Sequence, residues 1–224
     1  MLARTAAQAQ LQALWTNVRL LDYNADMTAM GFVRKKVDSL PDRAFIRVAE
    51  VRSEALGTAK DGAIEQAFSR LAKAGRISRV AKGLYWKAPQ SRFGVVPPPK
   101  FEAALEIAAD RAPGPAGASA AAYLGLTTQI PPVQEWAVIG RESTKLPGTV
   151  FRERVNPKRD GLNPAEVAVL EVARDRLRYC ETDKGQTIAR IRDLVHQGAI
   201  AMQRIHRAAM GEDRAVQDFV TSIA

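Results

Sequence analysis

Three consecutive prolines, Pro97-Pro98-Pro99, interrupt this chain a little before its midpoint. Each proline locks its own φ and disfavours helix in the residue before it, so the run imposes an extended, semi-rigid connector. No helix and no central strand continues through such a run. The stretch before it must fold apart from the stretch after it, and residues 93–99 are predicted to be a linker between two domains.

Charge divides at the same place. Residues 1–98 hold 16 Lys+Arg against 8 Asp+Glu, whereas residues 99–224 hold 17 against 16. Nearly all of the +9 formal charge therefore belongs to the first part, mostly to the stretch 28–92. A compact basic module beside a near-neutral one is the electrostatic footprint of a polyanion binder. With 46% hydrophobic residues the chain is neither wholly disordered nor fibrous. No run approaches the ~18 apolar residues that a membrane span needs. The single cysteine, Cys180, excludes an intramolecular disulfide and a four-cysteine zinc site. A cytoplasmic protein that makes no membrane contact is expected.

Residues 1–26 read as a helical extension. Leu11, Leu14, Trp15, Val18 and Leu21 recur at helical spacing, which predicts an amphipathic helix over residues 2–22, docked on its own domain or on a second copy. The extension lacks the long apolar core of a secretory signal.

Residues 27–92 carry the clearest pattern. A helix is expected over 29–38, with Val33 and Val37 inward, ending before Pro41. Ala44-Phe45-Ile46 suits one short strand, and Val48 to Ala55 a second helix closed by Leu56-Gly57. Thr58 is positioned to cap a third helix that has Asp61 in its first turn. There Ile64, Ala67, Phe68 and Leu71 fall at i, i+3, i+4 and i+7 and must face a core. Gly75 ends that helix. Arg76 to Val80 and Leu84 to Lys87 alternate like two strands joined by a turn at Lys82-Gly83.

Three helices followed by a basic hairpin are the plan of a winged helix-turn-helix, which suits double-stranded DNA. The third helix leaves Lys60, Gln66, Ser69, Arg70 and Lys73 outside its core face, where amide and guanidinium groups can read base edges in the major groove. Arg76, Arg79 and Lys82 on the hairpin are placed to hold phosphates or probe the minor groove. Thr58, at the start of the helix, joins this DNA-binding set. Phe68, Tyr85 and Trp86 read as core.

The second part reads as a mixed α/β domain with a helical C-terminus. Helices are expected over Phe101 to Arg111 and Ala118 to Leu124, with Ala112-Pro113-Gly114-Pro115-Ala116-Gly117 as the loop between them. Glu135 to Ile139 and Thr149 to Val155 look like strands flanking a turn at Leu146-Pro147-Gly148. Asn163 caps a helix with Pro164 at its first position, running to about Arg178. Thr187 to His196, Ile200 to Met210 and Asp213 to Ile223 complete the helical tail. The fold class expected for the whole chain is α+β.

Chemistry is sparse there. Ser119 lacks the second glycine of a nucleophile elbow. Asp183-Lys184-Gly185-Gln186-Thr187 lacks the glycine and the residue order of a phosphate loop. His196 and His206 would stand about 280° apart on one helix, and Gly198 breaks that helix. No catalytic residue, metal site or cofactor is expected, and the chain does not read as an enzyme.

Two sequence blocks carry a family resemblance. Ala67-Phe68-Ser69-Arg70-Leu71-Ala72-Lys73-Ala74-Gly75-Arg76-Ile77, followed by Lys82-Gly83-Leu84-Tyr85, resembles the winged-helix signature of the AbiEi-type antitoxins of bacterial toxin–antitoxin and abortive-infection systems. Ser119-Ala120-Ala121-Ala122-Tyr123-Leu124-Gly125-Leu126-Thr127-Thr128-Gln129-Ile130-Pro131 is similar to that family's Ala-Ala-x-x-Leu-Gly-Leu-x-x-Gln-x-Pro segment. The likeness runs from about Gly31 to Val155 and more faintly beyond. It implies a transcriptional repressor that binds inverted repeats at its own promoter, and a second domain (residues 100–224) that counteracts a nucleotidyltransferase-like toxin in phage defence. It also implies helix contacts from Ser69, Arg70 and Lys73 and wing contacts from Arg79 and Lys82. The chain departs from the family at Lys82, where arginine is common, and at Ser78 and Ala81. A stand-alone winged-helix regulator or protein-interaction module is the alternative.

Overall fold

The structure, a computed structural model, describes residues 29–56, 59–92 and 94–223. The predicted helix over residues 2–22 lies outside these residues, as does the Thr58 cap. The chain is a mixed α+β protein of two compact units that meet between Pro98 and Pro99.

In the first unit, helix α1 (29–39) buries Ala29, Val33 and Val37 along one face. Strand β1 (Ala44–Arg47) leads directly into α2 (Val48–Glu54), which buries Val48 and Val51. Helix α3 (Asp61–Lys73) buries Ile64, Ala67, Phe68 and Leu71, the stripe expected from their spacing. Its N-cap is Lys60, without a side-chain capping bond, so the helix begins three residues after Thr58. Gly75, at φ +71°, ends it in a left-handed conformation that favours glycine. Next comes a hairpin of β2 (Ser78–Ala81) and β3 (Leu84–Lys87), turning at Lys82-Gly83.

The sheet order is β1-β3-β2, so β3 is central and antiparallel to both neighbours. Its position explains why Leu84, Tyr85 and Trp86 are all buried. Successive side chains leave opposite faces. Tyr85 stacks on Phe68 with ring centroids 5.0 Å apart, and Trp86 tilts onto Phe45 at 4.7 Å. The Trp86 indole N–H donates to the Val96 carbonyl at 3.0 Å, fixing the chain as it leaves the unit. Part of the expected linker is paired: β4 (Gln90–Ser91) and β5 (Gly94–Val95) form a second, two-stranded hairpin.

The second unit contains α4 (Lys100–Ile107), β6 (Gly114–Pro115), α5 (Gly117–Tyr123), β7 (Gln134–Ile139), β8 (Thr149–Arg154), α6 (Pro164–Arg174), α7 (Lys184–His196), α8 (Met202–Ala209) and α9 (Arg214–Ile223). Two features differ from the sequence expectation, and the pairing direction of two expected strands adds to it. The Pro/Gly loop at 112–117 carries β6, antiparallel to β7, and it is buried because α6 packs on it. A Cβ on Gly114 would lie 2.3 Å from the Val167 Cβ, so only glycine fits there. The strands around Leu146-Pro147-Gly148 are parallel, with Gln134 opposite Thr149 and Ile139 opposite Arg154. An extended segment of this length spans up to about 30 Å, enough to retrace a six-residue strand without a helix. Finally, α6 stops at Arg174, because Arg176 and Leu177 adopt positive φ.

Helix α6 is the axis of this core. Every residue from Ala165 to Ala173 is buried, including two glutamates. Glu166 completes a capping box with Asn163 and also accepts from the Ala201 N–H and the Arg204 guanidinium. Glu171 accepts from Arg159 at 2.6 Å and from Arg154. Arg159, 1% exposed, donates its Nε–H to Glu212 at 2.7 Å. Glu212 also receives Arg174 and the Asn156 amide. This cluster ties the segment after β8 to α6 and to the turn between α8 and α9.

Burial alone would push Glu171 and Glu212 upward, yet hydrogen bonds and charge from their arginines outweigh it and hold both carboxyls below the usual value of 4.5. A carboxylate depressed in the folded state contributes stability that is complete above its unfolded pKa and lost as pH falls through the folded one. Resistance of this unit to urea is therefore expected to hold down to about pH 4.5 and to fall steadily below it. Arg159→Met is expected to cost about 3–5 kcal/mol at neutral pH, because two buried carboxylates lose a shared partner. Urea melts followed by circular dichroism across pH check both outcomes.

Candidate nucleic-acid interface

Helix α3 bears two opposed stripes. Ile64, Ala67, Phe68 and Leu71 are buried, while Gln66, Ser69, Arg70 and Lys73 are exposed. The second set repeats the i, i+3, i+4, i+7 pattern two residues on, which places it about 200° around the helix. The exposed stripe is thus the geometric opposite of the buried one. Asp61 starts the helix, where a carboxylate suits the positive dipole end, and Arg70 and Lys73 occupy its last turn.

The two carboxylates of α3 are drawn off that stripe. Arg52 on α2 reaches Glu65 at 2.5 Å and Asp61 at 3.3 Å, pinning both α3 carboxylates on the α2 side. Lys36 pairs with Glu54 at 2.8 Å, and Arg47 approaches Glu50 at 3.7 Å. Coulombic repulsion of a polyanion by these acids is correspondingly muted along the face that carries Gln66, Ser69, Arg70 and Lys73.

The hairpin supplies fewer cations than its sequence suggests. Arg76 does not belong to it: β2 begins at Ser78, and Arg76 lies in the preceding turn, where it binds Asp38 of α1 at 2.7 Å. This exposed pair links α1 to the turn that follows α3. Arg79 and Lys82 remain on the hairpin, both exposed, with Lys82 at the turn beside Gly83 (φ +74°). A β-bulge between Arg79 and Ala81 breaks the register of β2, and the Arg79 Nε–H spans it to the Ala81 carbonyl at 3.5 Å. Bulges of this kind re-aim side chains at a strand end. Lys60 precedes the first helical residue and so stands outside the exposed stripe.

Two exposed cations on α1, Arg34 and Lys35, add to the positive charge of this unit and were not among the residues expected from sequence. Their signal was present in the run Arg34-Lys35-Lys36, whose third member is the ion-paired one. Arg43, also exposed, holds φ +66° while its N–H donates to the Lys87 carbonyl at 2.8 Å. No spacing rule flags a left-handed arginine.

In the second unit, Ser119 Oγ accepts the Glu135 N–H at 3.0 Å, a bond that joins α5 to β7. Burial pushes the Cys180 thiol upward, away from the thiolate form. His196 and His206 sit on separate helices, with Gly198 at φ +75° between them. Among the described residues no cluster of three or more His, Cys, Asp or Glu is placed to hold a metal ion, and no helix is long and apolar enough to cross a membrane.

No family model and no curated protein matches the chain. Among solved structures it is similar to the crystal structure of the Rv2827c protein from Mycobacterium tuberculosis, at 15% identity over 88% of this chain and 76% of that one, with a TM-score of 0.44.

Proposed function

We propose that this chain is a cytoplasmic DNA-binding antitoxin that represses its own promoter. In this reading residues 27–92 form a winged helix-turn-helix that binds inverted repeats, and residues 100–224 counteract a nucleotidyltransferase-like toxin without enzymatic activity. The observation that carries the DNA reading is the exposed Gln66-Ser69-Arg70-Lys73 stripe, opposite a fully buried one and next in sequence to a basic hairpin. A helix of this kind fits the major groove, where Gln66 suits adenine and Arg70 suits guanine in bidentate pairing. Ser69 and Lys73 are phosphate contacts, and Arg79 and Lys82 hold backbone or minor groove from the wing. Arg76 acts indirectly, by holding α1. The antitoxin role is supported by the two resemblance blocks. The first of them spans α3 and the β2–β3 turn, and the second spans α5 and the segment before β7.

Arg70→Ala is expected to reduce the preference of the full chain for its own promoter over random DNA by about 1–3 kcal/mol. Lys82→Ala is expected to weaken both DNAs alike and to lower the log–log salt slope by about 1. Fluorescence anisotropy over a salt series separates the two. An unchanged promoter preference in Arg70→Ala would show that α3 is not the reading element.

The triple variant Arg70→Ala, Arg79→Ala, Lys82→Ala is expected to lose repression and still protect cells co-expressing the toxin, scored by growth at equal protein level. Protection that disappears with repression would place the antitoxin effect in the promoter alone. It would also favour a stand-alone regulator over the two-part reading.

A further inference from the structure

The sheet of the second unit ends on an open edge. Its strand order is β6-β7-β8, and among the described residues no strand pairs with the outer side of β8. The ladder settles which backbone groups lie on that side. Gln134 N–H donates to the Gly148 carbonyl and Gly140 N–H to the Arg154 carbonyl, each at 2.9 Å. With Gln134 opposite Thr149, it follows that Val150, Arg152 and Arg154 bond to β7. The alternate residues Thr149, Phe151 and Glu153 turn their N–H and C=O groups away from it. Thr149 N–H is taken by the Leu146 carbonyl at 3.1 Å, and the Glu153 carbonyl accepts from the Arg154 guanidinium at 2.8 Å. Among the described residues, the N–H groups of Phe151 and Glu153 and the carbonyls of Thr149 and Phe151 are left without a partner.

Natural edge strands are blunted by proline, a bulge or guarding charge. β8 contains neither proline nor glycine, and its register with β7 runs unbroken from Thr149 to Arg154. Its cations are committed within the unit, Arg152 to Glu135 at 2.8 Å and Arg154 to the buried Glu171. Such an edge accepts another strand, and the pattern of its free groups selects which. Two β8 strands set antiparallel about a two-fold axis at Phe151 bring Phe151 opposite Phe151, Thr149 opposite Glu153 and Val150 opposite Arg152. In that register every free N–H meets a free carbonyl: Phe151 bonds Phe151 in both directions, and each Glu153 N–H finds the Thr149 carbonyl of the other strand. No like charges face each other, and the Arg152 stem covers Val150, which is 40% exposed. An axis at Arg152 or at Glu153 sets that charge against itself. An axis at Val150 leaves the Phe151 carbonyl facing the Thr149 N–H that Leu146 already holds.

We infer that β8 pairs antiparallel with β8 of a second copy of this chain about a two-fold axis at Phe151, joining two three-stranded sheets into one continuous sheet. The contact is self-complementary, as a two-fold interface must be. Backbone bonds set its register, and the facing phenylalanine rings add apolar burial. The inference goes beyond the DNA and antitoxin reading and stands independently of it, although a two-fold dimer shares the symmetry of inverted repeats.

The test is sedimentation velocity and amide hydrogen exchange of the full-length protein over a concentration series, without DNA. The sedimenting mass is expected to rise to twice that of one chain. Exchange of the Phe151 and Glu153 amides is expected to slow in step with it, while Val150 and Arg152, already bonded to β7, stay unchanged. Glu153→Pro removes an outward donor without touching the β7 ladder, and is expected to abolish the dimer while circular dichroism stays that of the unmodified chain. A protein that remains monomeric at every concentration would overturn the inference. So would a dimer that survives Glu153→Pro, or one that leaves Phe151 and Glu153 exchanging as before. The exchange comparison uses the unmodified protein and decides even where the variant fails to fold.

Discussion

The stacking of Phe68 on Tyr85 is the contact from which the first unit takes its geometry. Phe68 is fully buried on α3, and Tyr85 is buried on the central strand β3, with rings 5.0 Å apart. This one contact sets the rotation of α3 about its own axis. It thereby decides that Gln66, Ser69, Arg70 and Lys73 face away from the core. Because β3 is hydrogen-bonded on both sides, the same contact also anchors β1, and with it the entry to α2, and β2, and with it the turn at Lys82. Helix α3 and the hairpin are thus mounted on a single packed pair. Dispersion and ring burial provide the rigidity, and the polar groups have only to point outward.

The second unit is organised differently. Its central helix buries two carboxylates, and Arg159 bridges one of them to Glu212 from a position 1% exposed. Buried ion pairs of this kind contribute little net stability over an apolar replacement but fail badly when one member is removed. Their effect here is on register: Arg159 reaches Glu171 and Glu212 together only if the segment after β8, α6 and the α8–α9 turn are all in place. One unit is held by aromatic packing and the other by an ionic keystone, so they differ in how they respond to acid. Separate cores also allow each to keep its function when the other is damaged.

Much of this was legible in the chain. The i, i+3, i+4, i+7 spacing of Ile64, Ala67, Phe68 and Leu71 located α3 and its buried face, because helical periodicity is a local property. Asn163-Pro164 located the start of α6, because capping is decided within four residues. The illegible features depend on distant partners. Arg76 has the sequence context of a hairpin cation, but Asp38, far back in the chain, claims it. Gly114-Pro115 has the composition of a loop, which says nothing about α6 arriving to cover it. The parallel pairing of β7 and β8 was hidden for the same reason: a Pro-Gly turn is equally at home in a hairpin and at the start of a returning strand. Orphaned atoms such as Gln134 Oε1 leave no sequence signature at all.

In the proposed function the exposed α3 stripe and the hairpin turn contact DNA together. The most direct measurement is amide and side-chain shift mapping of the full-length, ¹⁵N-labelled protein on addition of a duplex carrying its own promoter repeats. Large changes are expected on Gln66, Ser69, Arg70 and Lys73 and on residues 79–83, while amides of the second unit stay in place. Changes concentrated in residues 99–224, or on α1 with α3 unaffected, would contradict it.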